Sequence, residues 1–190
     1  MPVEGWFHTP IYYNYIENVD SVQQELESAF KKLEFDKKQE WGENTHSVSD
    51  ITFDSNVIES MNLKFFETEI KKNVDQFLRD LNSQYQKPYR ISSCWFTKTK
   101  PHEHTRIHNH GYTDISGVYY FKTNNKDGDI VFLSPSPVAS MVFAKLQDTV
   151  SYRPEIGKMI LFPGSLYHTV NENETEEERI SVSFNIYFER

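Results

Sequence analysis

Arg179-Ile180-Ser181-Val182-Ser183-Phe184-Asn185-Ile186-Tyr187-Phe188 alternates polar and apolar residues without a break from Arg179 to Ile186. Side chains alternate across a strand, so Arg179, Ser181, Ser183 and Asn185 share one face, and Ile180, Val182, Phe184 and Ile186 the other. A solvent-facing strand favours Lys and Glu. Here the polar face holds short hydrogen-bonding residues and one arginine, as the lining of a polar barrel interior does. Working backwards, the same period of two recurs from Tyr89. It predicts strands over Tyr89 to Lys98, Thr105 to His110, Ile115 to Lys122, Asp129 to Ser134, Val138 to Ala144 and Lys158 to Phe162. Turn signals at Asn124-Asn125, Asp127-Gly128, Pro135 with Pro137, and Pro163-Gly164 separate several of them.

The first half has a different period. Asp20 with Gln23 three residues later has capping-box character, and Val22, Leu26, Phe30 and Leu33 follow at helical spacing. A longer helix is predicted from about Leu63 to Leu81, with Phe66, Ile70, Val74, Phe77, Leu78 and Leu81 in one stripe. Asp36 to Thr52 has no period and reads as a loop long enough to cover a site. The expected architecture is α+β with a mainly β core: a single domain over 1–190, in which 1–88 gives helical support and 89–190 forms a sandwich or barrel.

On that frame sit three histidines. His108 and His110, two apart on a strand, point to one side, and His168 follows a Pro-Gly turn. Arg179 starts the strand after it. Imidazoles gathered on one side of a metal, with positions left open and a planar cation nearby for a carboxylate, make a layout for non-haem iron and a dicarboxylic keto acid. His102 and His104 are decoys in the same region.

Composition narrows the class. The formal charge is −8 and no basic stripe appears, which argues against binding along a phosphate backbone. Cys94 is alone, so no disulfide framework exists within the chain, and it reads as a small core residue. No apolar run reaches the ~20 residues of a membrane span, and no signal-like segment starts the chain, so a cytoplasmic enzyme is expected.

The stretches HNHGYTDISGVYYF (108–121), DGDIVFLSP (127–135), GKMILFPGSLYHTV (157–170) and ERISVSFNIYF (178–188) resemble the iron(II)/2-oxoglutarate-dependent oxygenases. Within them, the chain is most similar to a small bacterial and phage-encoded group distantly similar to prolyl 4-hydroxylases. The resemblance covers about Trp95 to Phe188. It implies a double-stranded β-helix, a cupin-like jelly roll, holding Fe(II) and 2-oxoglutarate, with dioxygen as oxidant and ascorbate as a reductant. The implied reaction is hydroxylation of a peptidyl or small-molecule C–H bond, with release of succinate and carbon dioxide. His108 and His168 match metal-binding histidines of the family, and Arg179 with Ser181 matches the R-x-S pair that takes the far carboxylate of 2-oxoglutarate. Tyr119 or Tyr120, and Asn185, are further candidates for contact with the keto acid.

The departure is at the carboxylate. The superfamily usually carries Asp or Glu two residues after the first histidine, where this chain has His110. Either His110 is the third ligand, or Asp114 folds back to supply a carboxylate, or His110 only lines the site and water completes the shell. An imidazole in place of carboxylate leaves the centre one unit more positive. Two other classes stay open: a cupin-like metal-binding protein or dioxygenase that uses no 2-oxoglutarate, for which the Arg179 face is not needed, and an accessory module whose histidines are only packed. Three loops are expected around the mouth: Asp36 to Thr52, Lys100 to Thr105 and Asn171 to Glu178.

Overall fold

A computed structural model describes residues 8–83, 88–136 and 148–190. The alternating segment becomes strand β10 (Arg179–Phe188), paired antiparallel on one side with β3 (Tyr89–Thr99) and on the other with β5 (Ile115–Lys122). Outside these lie β8 (Lys158–Pro163), β1 (Tyr12–Tyr15) and β2 (Ser47–Val48), giving a sheet in the order β1-β8-β5-β10-β3-β2. A second sheet, in the order β4-β9-β6-β7, faces it and is built from β4 (Thr105–His108), β6 (Ile130–Leu133), β7 (Thr149–Tyr152) and β9 (His168–Val170).

The two faces of β10 do what their chemistry dictates. Ile180, Val182, Phe184 and Ile186 are buried against α1 (Val19–Phe30) and α3 (Lys64–Asp80), among Leu26, Phe66 and Ile70. Burying side chains of this size stabilises by about 1.5–3 kcal/mol each, and this apolar layer fixes the helices on the outer face of the large sheet. Arg179, Ser181, Ser183 and Asn185 point the other way, into the space between the sheets. A smaller apolar cluster, Val118, Tyr120, Ile130, Phe132, Ile160, Phe162 and Leu166, closes that space at one end. Cys94 is fully buried on the helix side, and burial pushes its thiol pKa up.

Several expectations need correction. The first half is not helical support alone, since it supplies β1, which pairs with β8, and β2, which pairs with β3. Both are short and lack a visible alternation, and it is the partner strands that hold them extended. Gln23 does not complete a capping box. Its amide instead reaches the Tyr119 hydroxyl at 3.2 Å and the Phe121 carbonyl at 3.1 Å, while α1 starts after Asn18 with no side-chain cap. Helix α3 takes its cap from a distance: the Glu25 carboxylate accepts from the backbone N–H groups of Phe65 (3.2 Å) and Phe66 (2.9 Å). The predicted strand Val138 to Ala144 lies outside the described residues.

One cross-strand contact sets the spacing of the large sheet. Gly117 on β5 lies opposite Phe184 on β10, and a Cβ built at Gly117 would stand 2.3 Å from two ring carbons of Phe184. The ring fills the space that a side chain would need. Gly117→Ala is therefore expected to lower stability by about 1–3 kcal/mol through overpacking. Urea unfolding should show this as a lower midpoint with an unchanged slope.

Candidate metal centre

The three histidines come together because two strand ends do. His108 and His168 are direct partners across the antiparallel β4–β9 pair, with ring centroids 4.3 Å apart. His110 lies just past the end of β4, where its backbone N–H donates to the Gly164 carbonyl at 2.8 Å in the Pro163-Gly164 turn leading to His168. Asn109 tightens the bend by accepting the Gly111 N–H at 3.0 Å, and Thr113 donates its hydroxyl to the His110 carbonyl at 2.9 Å. One ring nitrogen from each histidine falls within 4.8 Å of the others.

Two of the rings have their tautomer fixed. His108 Nδ1 lies 2.8 Å from the Arg106 carbonyl and His168 Nδ1 3.0 Å from the Leu166 carbonyl. A carbonyl only accepts, so each Nδ1 carries the proton and each Nε2 keeps its lone pair free. His110 stacks on Trp95 (centroids 5.8 Å, 23°) and lies beside the Asn185 side chain. Burial lowers the pKa of all three, to about 4 for His110 and about 3 for His168, with the neighbouring imidazoles adding to it in both. Neutral, oriented imidazoles are the form that binds a divalent metal, so the donor set fits iron(II).

Asp114 does not join them. Its carboxylate accepts the Phe188 N–H at 2.9 Å and its own N–H donates to the Ile186 carbonyl, which ties it to the far end of β10. Tyr119 is also directed away, towards α1 and the helix layer, where its hydroxyl meets Gln23 and burial raises its pKa to about 12. Its neighbour Tyr120 faces the cavity, as adjacent strand residues must differ. His102 pairs with Glu172 at the surface.

Arg179 lines the same cavity and is 2% exposed. Its Nη1 donates to the carbonyls of Asp127 (2.6 Å) and Gly128 (2.8 Å), and Nη2 to Thr99 Oγ1 (2.9 Å). Among the described residues no carboxylate pairs with it, and Nε–H and one Nη2 proton have no acceptor. Desolvation pulls its pKa down, although Tyr120, Asp127 and Asp129 oppose this. Gly128 permits the seat. Its φ is +102°, and a Cβ there would lie 3.0 Å from Nη1 and 2.3 Å from the Asn171 carbonyl. Ser181, Ser183 and Asn185 continue the polar lining, with Asn185 accepting from Ser116 Oγ (2.9 Å) and donating to Ser93 Oγ (3.1 Å).

The cavity measures about 500 Å³. Its open side is walled by Trp41, Thr45, His46 and Phe53 of the first half, with Trp95, Arg106 and Ile107. The Asp36 to Thr52 loop thus lines the pocket as expected. Of Lys100 to Thr105 only Thr105 does, and of Asn171 to Glu178 nothing does. That last loop packs instead on the β3–β4 connection, where the Asn173 carbonyl accepts the His102 N–H and the Asn173 N–H donates to the Glu103 carbonyl. Trp41, His46 and Phe53 escaped sequence reasoning because they lie on aperiodic chain. Arg106 was in plain sight, two residues before His108 in the same alternating run.

These histidines link stability to pH. The unfolded chain takes up a proton on each ring near the ordinary value of 6.5, whereas folded His46 and His110 refuse it until about 4. The unfolded state then holds more protons, so stability falls as pH drops from about 6.5 to 4. Metal-free protein is expected to show this decline in its urea midpoint, with a shallower decline in His110→Gln.

Residues 93–185 match the family described as "Putative 2OG-Fe(II) oxygenase". No curated protein matches the chain. Among solved structures, the chain is similar to a Pseudomonas putida prolyl-4-hydroxylase (TM-score 0.64, 11% identity, 95% of this chain and 94% of that one). It is also similar to HygX from Streptomyces hygroscopicus with nickel and 2-oxoglutarate bound (0.64, 13%, 94% and 82%). A third is a 2OG-Fe(II) oxygenase family oxidoreductase from Burkholderia pseudomallei (0.64, 12%, 86% and 76%). At such identities the likeness speaks for the fold, which is the double-stranded β-helix expected from the sequence. The family match runs from Ser93 to Asn185 and so takes in the histidine cluster, Tyr120 and Arg179: the barrel matches this family, and the protein is a 2-oxoglutarate/iron(II)-dependent oxygenase.

Proposed function

We propose that His108, His110 and His168 hold the iron as a three-histidine set, and that Arg179 with Ser181 binds the far carboxylate of 2-oxoglutarate. The observation that carries this is the buried, unpaired Arg179 guanidinium in the same cavity as the three converging imidazoles. A buried cation without a counter-ion costs several kcal/mol, and its free N–H groups suit a carboxylate that arrives with the co-substrate. A cupin that uses no keto acid has no need for such a group. Iron(II) and 2-oxoglutarate held in this cavity would supply, with dioxygen as the oxidant, oxidative decarboxylation to succinate and carbon dioxide, one oxygen atom entering succinate and the other hydroxylating a C–H bond on a peptidyl or small-molecule substrate.

The chain's own contribution is position and environment. The Arg106 and Leu166 carbonyls hold two imidazoles in the tautomer that presents Nε2. Thr99 and the Asp127 and Gly128 carbonyls hold the guanidinium plane. Tyr120, Phe162 and Val118 give the inner end an apolar wall that keeps water out.

The test is succinate formation from 2-oxoglutarate by purified protein with iron(II) and ascorbate under air, which needs no knowledge of the prime substrate. Turnover is expected, and Arg179→Lys should raise the KM for 2-oxoglutarate about 30-fold or more, since a paired buried charge loses its bidentate geometry. His110→Ala should lose stoichiometric metal, whereas Asp114→Ala should keep it. Metal retained by His110→Ala and lost by Asp114→Ala would reverse the assignment of the third ligand.

A further inference from the structure

We infer that the open side of this pocket selects a prime substrate with an anionic group on an apolar or aromatic body, the anion meeting Arg106 and the body lying on the Trp41–Phe53–Trp95 wall. The inference rests on the oxygenase pocket proposed above and names what enters its other half.

The wall is continuous from the mouth to the metal centre. Trp41 stacks on His46 (4.8 Å, 25°) and on Phe53 (5.9 Å, 28°). Phe53 meets Trp95 edge-on at 4.9 Å, and Trp95 stacks on His110. Phe53 holds a φ of +59°, a conformation that costs a bulky residue energy and persists only where its surroundings enforce it. Here the enforcement is visible. The Asp50 carboxylate accepts from the N–H and hydroxyl of Thr52 (3.0 and 2.6 Å) and from those of Ser55 (2.9 and 2.8 Å), clamping the chain on both sides of Phe53. The loop is built to hold that ring in the wall.

Arg106 stands at the same mouth. It is exposed, lines the cavity, and among the described residues has no carboxylate in ion-pair range. Its guanidinium lies directly over Gly42, where a Cβ would come within 2.5 Å of Nη2, and Gly42 itself holds a φ of +87°. Glycine next to Trp41 thus makes room for the cation beside the wall.

Charge decides the sign of the ligand. No Asp or Glu lines the pocket among the described residues, which instead bring two arginines and four histidines. A divalent ion and two guanidiniums outweigh the two carboxylates of the keto acid, so the filled pocket stays cationic until a further anion enters. The aromatic wall does not offer a vacant seat for a cation either. Lys38 already lies over Phe53 (4.9 Å) and Trp41 (5.7 Å). The acidic run Asn171 to Glu178 is turned away from the cavity.

The experiment uses protein loaded with nickel(II) and 2-oxoglutarate, which fills the inner half without turnover. It titrates 3-phenylpropionate, its amide and 3-phenylpropylamine, reading quenching of Trp41 and Trp95 fluorescence. The carboxylate should bind about tenfold tighter than the amide, the scale of one charge-assisted hydrogen bond at a partly open site, with the amine weakest. Arg106→Gln should bring carboxylate and amide within about twofold of each other, and Trp41→Ala should weaken both alike. Equal binding of the three probes, a preference for the amine, a carboxylate preference that survives Arg106→Gln, or no binding by any probe overturns the inference. Loss of 2-oxoglutarate binding in the parent protein is a separate result: it removes the oxygenase pocket itself and this inference with it.

Discussion

Everything in this protein depends on one strand presenting two incompatible chemistries to its two sides. β10 is hydrogen-bonded along both edges, to β3 and β5, so it cannot shift register without breaking two ladders. A slip of one residue would turn Arg179 and the serines into the helix layer and expose Phe184 and its neighbours to the cavity. The apolar contacts with α1 and α3 therefore hold the polar lining in place. Stability and site are two faces of the same alternation, which is why Gly117, with no polar atom in its side chain, matters to both: it lets Phe184 seat and so sets where Asn185 and Ser183 stand.

The site itself works against stability. It gathers three imidazoles that must stay neutral to remain close, beside a guanidinium that has lost its water and gained carbonyls rather than a carboxylate. Carbonyl dipoles offset part of that desolvation but leave the charge uncompensated. The ligands proposed for this site remove both problems: a metal takes the imidazole lone pairs and a dicarboxylate takes the cation. Ligands that bind only the folded state stabilise it by mass action, by about 2.7 kcal/mol at a hundredfold excess over Kd. The folded chain without them is the less favourable partner of a pair.

How much of this was legible follows from which signals are local. The alternation of Arg179 to Ile186, the stripe of α3 and the limits of β5 are written in consecutive residues, and they appear in the structure nearly as read. So does the convergence of His108 and His168, while the strand expected to run on to His110 ends at His108, and His110 reaches the cluster from the bend that follows. What could not be read depends on distant partners. β1 and β2 are extended because β8 and β3 offer free edges. Gln23 was drawn from its expected cap by the Phe121 carbonyl. Asp114 looked available as a ligand until the end of β10 took its carboxylate. Choosing between Tyr119 and Tyr120 needed only the phase of β5, and the phase was fixed by which residues meet the helices.

The outer half of the pocket carries the last step. The inner lining comes from regular strands, with positions set by ladders, and it holds groups suited to a metal and a keto acid. The outer wall comes from the aperiodic stretch around Trp41, His46 and Phe53, whose ladder is confined to the two residues of β2 and which is otherwise held by an Asp50 clasp and stacked rings. A loop can change its residues without disturbing the barrel, whereas β10 cannot. That division separates the chemistry common to the fold from the choice of substrate. It also explains why Arg106 bridges the two: its backbone carbonyl belongs to the metal centre, orienting His108, while its side chain belongs to the mouth. With the proposed anchor on that guanidinium, the substrate lies two residues along one strand from His108, so its distance from the histidine cluster is set by β4 rather than by a loop.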